Sequence, residues 1–359
     1  MIKKIVSFSL FDFGETVLGA LIYSTFFPLY ITQFIDAKIY SIVYGLTFLI
    51  SFLFALQIGR IADRKAKRKN FYIYFVFLTA IFCIFLGLTT ELPILSLFIF
   101  SLMSVAHQQS FVFYNSLLVN FEKRGLVSGL GVSVGYIGSA IALIYFAKSL
   151  NIPEVYYVVG FIFLAFSLPS IFFLENPTIK QEFQIKEIFK DKAFMLTILA
   201  ILSLTEVANT LISMMSIYLK NVYRFENEEI YKIIGFSAIG GVFGGIFWGK
   251  VSDMINLDRV FSLGFFLWIS FLVLLPLTPK EYVLFIGFLA GFSLAHLWTV
   301  SRLYIIHNFP EGQVSTRMSF LSLTERIAST VGLFLWSLLL WTTQDNYKLS
   351  VLLLLFFPT

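Results

Sequence analysis

The chain has 359 residues, 58% of them hydrophobic and only 13% charged, with a mean hydropathy of +0.86; this leaves too little polar surface for a set of soluble domains. The net charge of +5 and pI near 9.1 arise from short loops beside apolar runs, so they read as membrane topology and not as nucleic-acid binding. Cys83 is the only cysteine and lies inside an apolar run, which excludes a disulfide framework and a CxxC metal pair; no metal and no cofactor are expected.

The apolar runs are helix-length, about 20 residues each, and lack the alternating pattern of an outer-membrane barrel. The fold class is therefore all-α, a polytopic membrane protein. The amino end, MIKK followed by apolar sequence, resembles the start of a signal peptide. Asp12 and Glu15 interrupt it and no small-residue cleavage site follows, so it reads as a retained first helix. The sequence predicts spans at 8–33, 39–62, 71–89, 94–118, 128–149, 155–174, 194–219, 231–252, 260–277, 282–306 and 318–341, then a short twelfth at 347–359. A helix of that last length is too short to cross about 30 Å of hydrocarbon unaided.

Orientation follows from Gly59 to Asn70, the densest charge cluster, in which Arg60, Arg64, Lys65, Lys67, Arg68 and Lys69 join Asp63. Basic loops stay on the cytoplasmic side. With this loop inside, 17 of the 26 Lys and Arg fall in cytoplasmic segments and 7 in outer ones, Arg302 and Arg326 lying within helices. This alternation expects the N-terminus in the cytoplasm and the protein in the cytoplasmic (inner) membrane, with lipid as its surround. The longest loop, 175–192, falls at the midpoint and divides the chain into 1–174 and 193–359, two expected six-helix bundles.

Three patterns recur at an offset of about 190 residues. Gly59-Arg60-x-x-Asp63 returns as Gly249-Lys250-x-x-Asp253, Ser104-x-Ala106-His107 as Ser293-x-Ala295-His296, and Asp12-x-x-Glu15-Thr16 loosely as Glu206-x-x-Asn209-Thr210. In order and in register, they argue for two parallel repeats around a shared site at the bilayer midplane.

Gly59-x-x-x-Asp63-Arg64-x-Ala66-Lys67-Arg68 resembles the signature loop of the major facilitator superfamily, with Ala66 where that family usually has glycine. Two further stretches resemble its "unknown major facilitator" branch, related to the vacuole effluxers of autophagy. They are Asp12-Phe13-Gly14-Glu15-Thr16 leading to Phe27-Pro28-Leu29-Tyr30, and Tyr114-Asn115-Ser116-Leu117-Leu118 leading to Arg124-Gly125-x-x-Ser128-Gly129. Glu15 stands where that branch usually has asparagine. The resemblance implies a gating role for Gly59, Asp63, Arg64, Arg68 and the repeat residue Asp253. It also implies a monomer that exports amino acids or related metabolites.

Ionisable groups inside spanning helices cost roughly 2.5–3.5 kcal/mol at the centre, so each is a functional candidate. Asp12 and Glu15 share a helical face, and two carboxylates this close in a low-dielectric site do not both ionise easily, which suits one of them to carry a proton. Glu206 with Asn209, and His107 with Asn115 on its face, are further candidates for substrate or proton coupling, as are His296 and Arg302. The structural alternatives are helix-helix hydrogen bonds and ion pairs. Glu325 and Arg326 are assigned to a gate or salt bridge. Gly131-x-x-x-Gly135 and Gly241-x-x-x-Gly245 are small-residue stripes that let helix backbones approach closely, and the superfamily resemblance implies that the two helices carrying them meet across the halves.

The function these readings converge on is a secondary transporter of a small solute, with protons as a candidate coupling ion. No Walker A loop supplies a built-in ATPase. A membrane enzyme would need a constellation of the HExxH, GxSxG or Asp-rich kind, and none is expected. A non-transporting scaffold or sensor on the same fold is the alternative.

Overall fold

The computed structural model describes residues 2–359, and among them there is no strand. Each apolar run becomes a helix because the bilayer offers no water to pair exposed backbone groups. The first six are α1 (Ile2–Ile31), α2 (Ala37–Lys65), α3 (Arg68–Leu88), α4 (Pro93–Asn120), α5 (Arg124–Ser149) and α6 (Glu154–Phe173). A short helix, α7 (Ile185–Lys190), lies in the connecting segment. Then follow α8 (Lys192–Tyr223), α9 (Asn227–Met254), α10 (Leu257–Leu277), α11 (Val283–Asn308), α12 (Val314–Thr342) and the short α13 (Tyr347–Leu353). Ten of these are long and apolar enough to cross a membrane by the composition of their described residues. The chain is an integral, multi-pass membrane protein.

Helix ends follow local chemistry. Asp36 caps α2 by accepting from the Lys38 amide at 2.7 Å, Asp191 caps α8 through the Phe194 amide at 3.1 Å, and Glu226 and Glu229 form a capping box at α9. Helix α2 stops at Ala66, which takes the left-handed conformation (φ 50°, ψ 42°) that closes the signature loop without a glycine. Two helices widen into π-type turns, α1 over Gly19–Phe26 and α5 over Ala142–Phe146.

Helices α1–α6 pack on one another, chiefly α1 on α5 and α6 and α3 on α4 and α6; α8–α13 do likewise, with α8 on α12 and α9 on α11. Across them, α5 meets α9 and α2 meets α12. These two contacts exchange under the sequence repeat, which pairs α2 with α9 and α5 with α12.

The α5–α9 seam corrects the expected stripe. Gly131 and Gly135 face α1, where a Cβ on Gly135 would sit 3.1 Å from Thr16 Cγ2 and where the Thr16 hydroxyl donates to the Gly135 carbonyl at 2.8 Å. The face turned to α9 is Gly125, Gly129 and Ser133. A Cβ on Gly129 would lie 2.8 Å from Gly249 Cα, and one on Gly245 would lie 2.6 Å from the Gly129 carbonyl. Ser133 donates to the Val242 carbonyl at 2.7 Å. Gly241 and Gly245 lie on this seam as expected, Gly241 against the Tyr136 ring. The two stripes are offset by two residues, about 200° around the helix, so α5 carries small residues on both sides and sequence alone does not say which side meets α9.

Candidate functional site

The candidate side chains lie in three layers between the two sets of helices. The first is at the end of the bundle that carries the basic loop. Asp63, at the end of α2, accepts from Arg68 Nε at 2.8 Å, from the Ser315 and Thr316 amides at 3.1 and 3.0 Å, and from the Thr316 hydroxyl at 3.0 Å. It thereby caps the first turn of α12, where unpaired amides and the helix dipole favour an anion. Asp253 does the same for α5, accepting from the Gly125 and Leu126 amides at 2.7 and 2.8 Å. The two caps are related by the same offset of about 190 residues as the sequence repeat. Arg68 is fully buried and also donates to the Glu311 carbonyl, while the Glu311 carboxylate accepts from Arg124. Arg64 is exposed, so the cation of this cluster is Arg68. Gly59 is needed where α2 crosses α12, since a Cβ there would lie 3.1 Å from the Thr316 backbone.

The connecting segment adds a strap across the same end. Arg317, stacked on Phe194 at 4.4 Å and Phe309 at 4.8 Å, donates to Asp191 at 2.8 Å. Lys4 bonds Glu175 at 2.8 Å and, by its hydrogen bond and charge, holds that exposed carboxyl below the usual range.

The second layer is a closed network around Arg302 of α11. Its Nε donates to Ser128 Oγ at 2.6 Å, its Nη1 to Asn115 Oδ1 at 2.9 Å, and its Nη2 to the Ser128 carbonyl at 2.6 Å, with Asp12 Oδ2 at 3.5 Å. Asp12 also accepts from the Tyr114 hydroxyl at 2.8 Å. The Ser128 hydroxyl donates in turn to the Thr299 carbonyl at 2.9 Å, so α11 brings Arg302 and Thr299 to a set otherwise drawn from α1, α4 and α5. Gly131 leaves room for the Asp12 carboxylate.

The third layer, one helical turn further from the basic loop, is Glu15, His107, Glu325 and Arg326. His107 Nε2 lies 3.6 Å from Glu15 Oε1, and its ring stacks on Tyr23 at 5.2 Å. Glu15 is within electrostatic reach of Asp12, Glu325, Arg326 and Arg302. The Arg326 guanidinium lies over Phe48 at 4.2 Å, and the Asn209 amide donates to the Glu325 carbonyl at 3.2 Å. Beyond this layer α5 runs on with Ile137, Ile141, Leu143 and Ile144 exposed, and Gly45 of α2 and Gly235 of α9 meet open space.

The structure therefore brings Asp12, Asn115 and Arg302 together in one layer and Glu15, His107, Glu325 and Arg326 in the next. Two candidates lie elsewhere. His296 sits in the α10–α11 seam, its Nε2 2.7 Å from the Val260 carbonyl and its ring edge-on to Trp248, so its repeat relation to His107 does not carry over to position. Glu206 is buried against α12, where a Cβ on Gly332 would lie 3.2 Å from Glu206 Oε2. Tyr23, Ser128, Glu311, Ser315 and Thr316 are missing from the sequence-derived set. Applying the repeat to loops as well as helices finds the last two, because Gly125 and Leu126 map onto Ser315 and Thr316.

One motif expected to be absent is present: Gly131-Val132-Ser133-Val134-Gly135 reads as GxSxG. It lies inside α5 with the Ser133 hydroxyl bonded to the Gly129 and Val242 carbonyls, so it forms no strand-to-helix nucleophile elbow.

A family profile described as Major Facilitator Superfamily matches residues 8–259 and 207–357. An uncharacterized protein of Aquifex aeolicus (strain VF5) is 58% identical over 351 residues, covering 98% of this chain and 93% of the relative. Among solved structures, a bacterial homologue of the iron transporter ferroportin in an outward-facing state superposes with a TM-score of 0.78 at 17% identity, over 99% of this chain and 96% of that one. The human organic anion transporter MFSD10 (TETRAN) gives 0.74 at 11% identity, over 100% and 98% of the two chains. FucP in the outward conformation gives 0.75 at 12%, over 99% and 96%. At these identities the structures speak for the fold alone.

Proposed function

On the premise that the chain belongs to the Major Facilitator Superfamily and is a membrane transporter, we propose that it moves a small solute by proton-coupled alternating access. The bundles are taken as 1–174 and 193–359, joined by 175–192, with the basic loop and the N-terminus on the cytoplasmic side of the inner membrane and the monomer as the working unit.

The observation that carries this reading is the grouping of Glu15, His107, Glu325 and Arg326 between the two sets of helices, beyond the Arg302 network and the basic-loop end, where Asp63 bonds the first turn of α12 and Asp253 the first turn of α5. Buried ionisable groups of this kind are retained against a cost of roughly 2.5–3.5 kcal/mol each, which a purely structural helix contact does not require. The bonds of Asp63 and Asp253 to the facing set of helices and the Arg302 network all lie toward the basic-loop side. This arrangement supports a state closed at that end, in which Glu15 exchanges protons with the opposite side. Export of amino acids or related metabolites remains the direction and class that the vacuole-effluxer resemblance implies.

The test is flux in proteoliposomes across a metabolite panel, with and without an imposed pH gradient, for the native protein and for Glu15→Gln and Glu206→Gln. A solute whose flux follows the gradient, and loses that dependence in Glu15→Gln, supports the proposal. Fluxes indifferent to the gradient and to both substitutions remove the coupling role and favour a scaffold or sensor.

A further inference from the structure

Away from the central layers, a groove of about 640 Å³ opens at the corner where α9 turns into α10, lined by Ile255, Asp258, Arg259, Ser262, Leu263 and Phe266. All six side chains are exposed, and the surround of a multi-pass membrane protein at this position is lipid. The depth of the groove follows from the length of α10. Its 21 residues span about 32 Å at 1.5 Å per residue, which matches a hydrocarbon core of about 30 Å. The first turn therefore lies at the headgroups, and the only charges of α10, Asp258 and Arg259, are both in that turn.

Arg259, Ser262, Leu263 and Phe266 follow one another at steps that keep them on one face of α10. Leu263 and Phe266 lie about 6 and about 10 Å deeper than Arg259. Over that distance the groove passes from charge through hydroxyl to aliphatic and aromatic carbon, the polarity profile of a phospholipid from its phosphate into its acyl chain. The two charges are not spent on each other or elsewhere. Neighbouring residues on a helix point apart, and neither side chain forms an ion pair among the described residues. Asp258 has only a long bond from Asn308 Nδ2 at 3.4 Å and the Tyr304 hydroxyl beside it, both uncharged. The amides of Asp258 and Arg259 are already taken by Asn256 Oδ1 at 2.9 and 3.3 Å, so an anion here is met by the guanidinium and not by the helix end.

One cation and one anion side by side complement a zwitterion and not a net charge. From this we propose that the groove binds a single phospholipid whose headgroup carries a primary ammonium, of the phosphatidylethanolamine type. Its phosphate accepts from the Arg259 guanidinium, its ammonium donates to the Asp258 carboxylate, and one acyl chain runs along Leu263 and Phe266. A trimethylated headgroup has no N–H to donate to Asp258, and an anionic headgroup meets that carboxylate with a like charge. The site is on the lipid-facing surface, apart from the Glu15 layer, so it stands or falls independently of the transporter reading.

The experiment is native mass spectrometry of the purified protein in detergent, titrated with phosphatidylethanolamine, phosphatidylcholine and phosphatidylglycerol of identical acyl chains. One phosphatidylethanolamine per protein is expected to be retained about tenfold more tightly than either of the others, the difference made by one charge-assisted hydrogen bond. Arg259→Ala should weaken retention of all three lipids about tenfold, because each carries the phosphate. Asp258→Asn should remove the preference over phosphatidylcholine, and Lys67→Ala, an exposed cation of the basic loop, should change neither. All three side chains are exposed, so the variants should keep the native melting temperature, measured alongside. Equal retention of the three lipids by the native protein, a preference for phosphatidylglycerol, or the same loss in Lys67→Ala as in Arg259→Ala would overturn the proposal. So would a lipid-free dimer cross-linked through Leu263→Cys in a Cys83→Ser background, which would make the groove a contact between two copies of this chain.

Discussion

Asp63→Asn isolates the part of the gate that must break when the basic-loop end opens. The carboxylate accepts three bonds from α12, two from backbone amides at 3.1 and 3.0 Å and one from the Thr316 hydroxyl at 3.0 Å. Hydrogen bonds to a charged acceptor contribute about 1.5–3 kcal/mol each, against about 0.5–1.5 for neutral pairs. Removing the charge while keeping the shape therefore costs the closed state about 2–3 kcal/mol. At about 1.4 kcal/mol per factor of ten, this shifts the closed-to-open ratio by roughly 30- to 150-fold. The bond from Arg68 lies within α2 and α3 and is present in both states, so its loss lowers overall stability without biasing the gate.

Spin labels at Glu122→Cys and Met254→Cys, both exposed and on opposite sides of the gate, report the opening by pulsed dipolar spectroscopy. A Cys83→Ser background removes the only native thiol. The native protein should give one short distance and Asp63→Asn a second, longer population. An unchanged distance distribution, in a variant that is still folded, would refute the claim that this carboxylate holds the end closed.

Asp253→Asn should act in the same direction by about 1–2 kcal/mol, because it loses two charged bonds where Asp63 loses three, and the two shifts should add in the double variant, read by the same spin-label pair. Gly245→Leu should block the α5–α9 seam and slow transport with little loss of expressed protein, whereas Gly135→Leu should instead disturb the α1–α5 contact; equal behaviour of the two would count against the assignment of faces. His296→Phe should lower the melting temperature, through a lost buried hydrogen bond of about 1–3 kcal/mol, while leaving flux and its pH dependence intact. Glu175 has its carboxyl held down by Lys4, so that contact is present at neutral pH and is lost as pH falls through the lowered value. Since the pair is exposed, a Lys4→Met variant should show the native melting temperature across this range.

Much of the architecture was legible because lipid forces it. Apolar runs have to be helices, the basic loop fixes their alternation, and the Gly59 and Gly249 motifs announce the repeat. The same motifs singled out Asp63 and Asp253, which the structure shows capping α12 and α5, although not what they touch. The Thr316 amide is 253 positions from Asp63, and no local pattern links them. Arg64 and Arg68 look alike in the loop, and only the turn at Ala66 decides which one is carried back over Asp63. His296 shows the opposite failure: its sequence relation to His107 is sound, yet α11 directs it at the Val260 carbonyl. The face of α5 that meets α9 was missed because small residues line two sides of the helix, Gly125, Gly129 and Ser133 on one and Gly131 and Gly135 on the other.

The backbone-on-backbone crossing of α5 and α9 also sets a lever arm. Its close contacts run from the Gly125–Gly249 approach to the Tyr136–Gly241 approach, 11 residues of α5, or about 16 Å at 1.5 Å per residue. Pivoting about the Tyr136 end, a tilt of about 18° moves the Gly125 end by about 5 Å, one helical pitch. With glycines in place of interlocking side chains along much of this bearing, that swing is stopped by polar links, the Asp253 cap, the Ser133 bond to Val242 and the Arg302 bonds to Ser128.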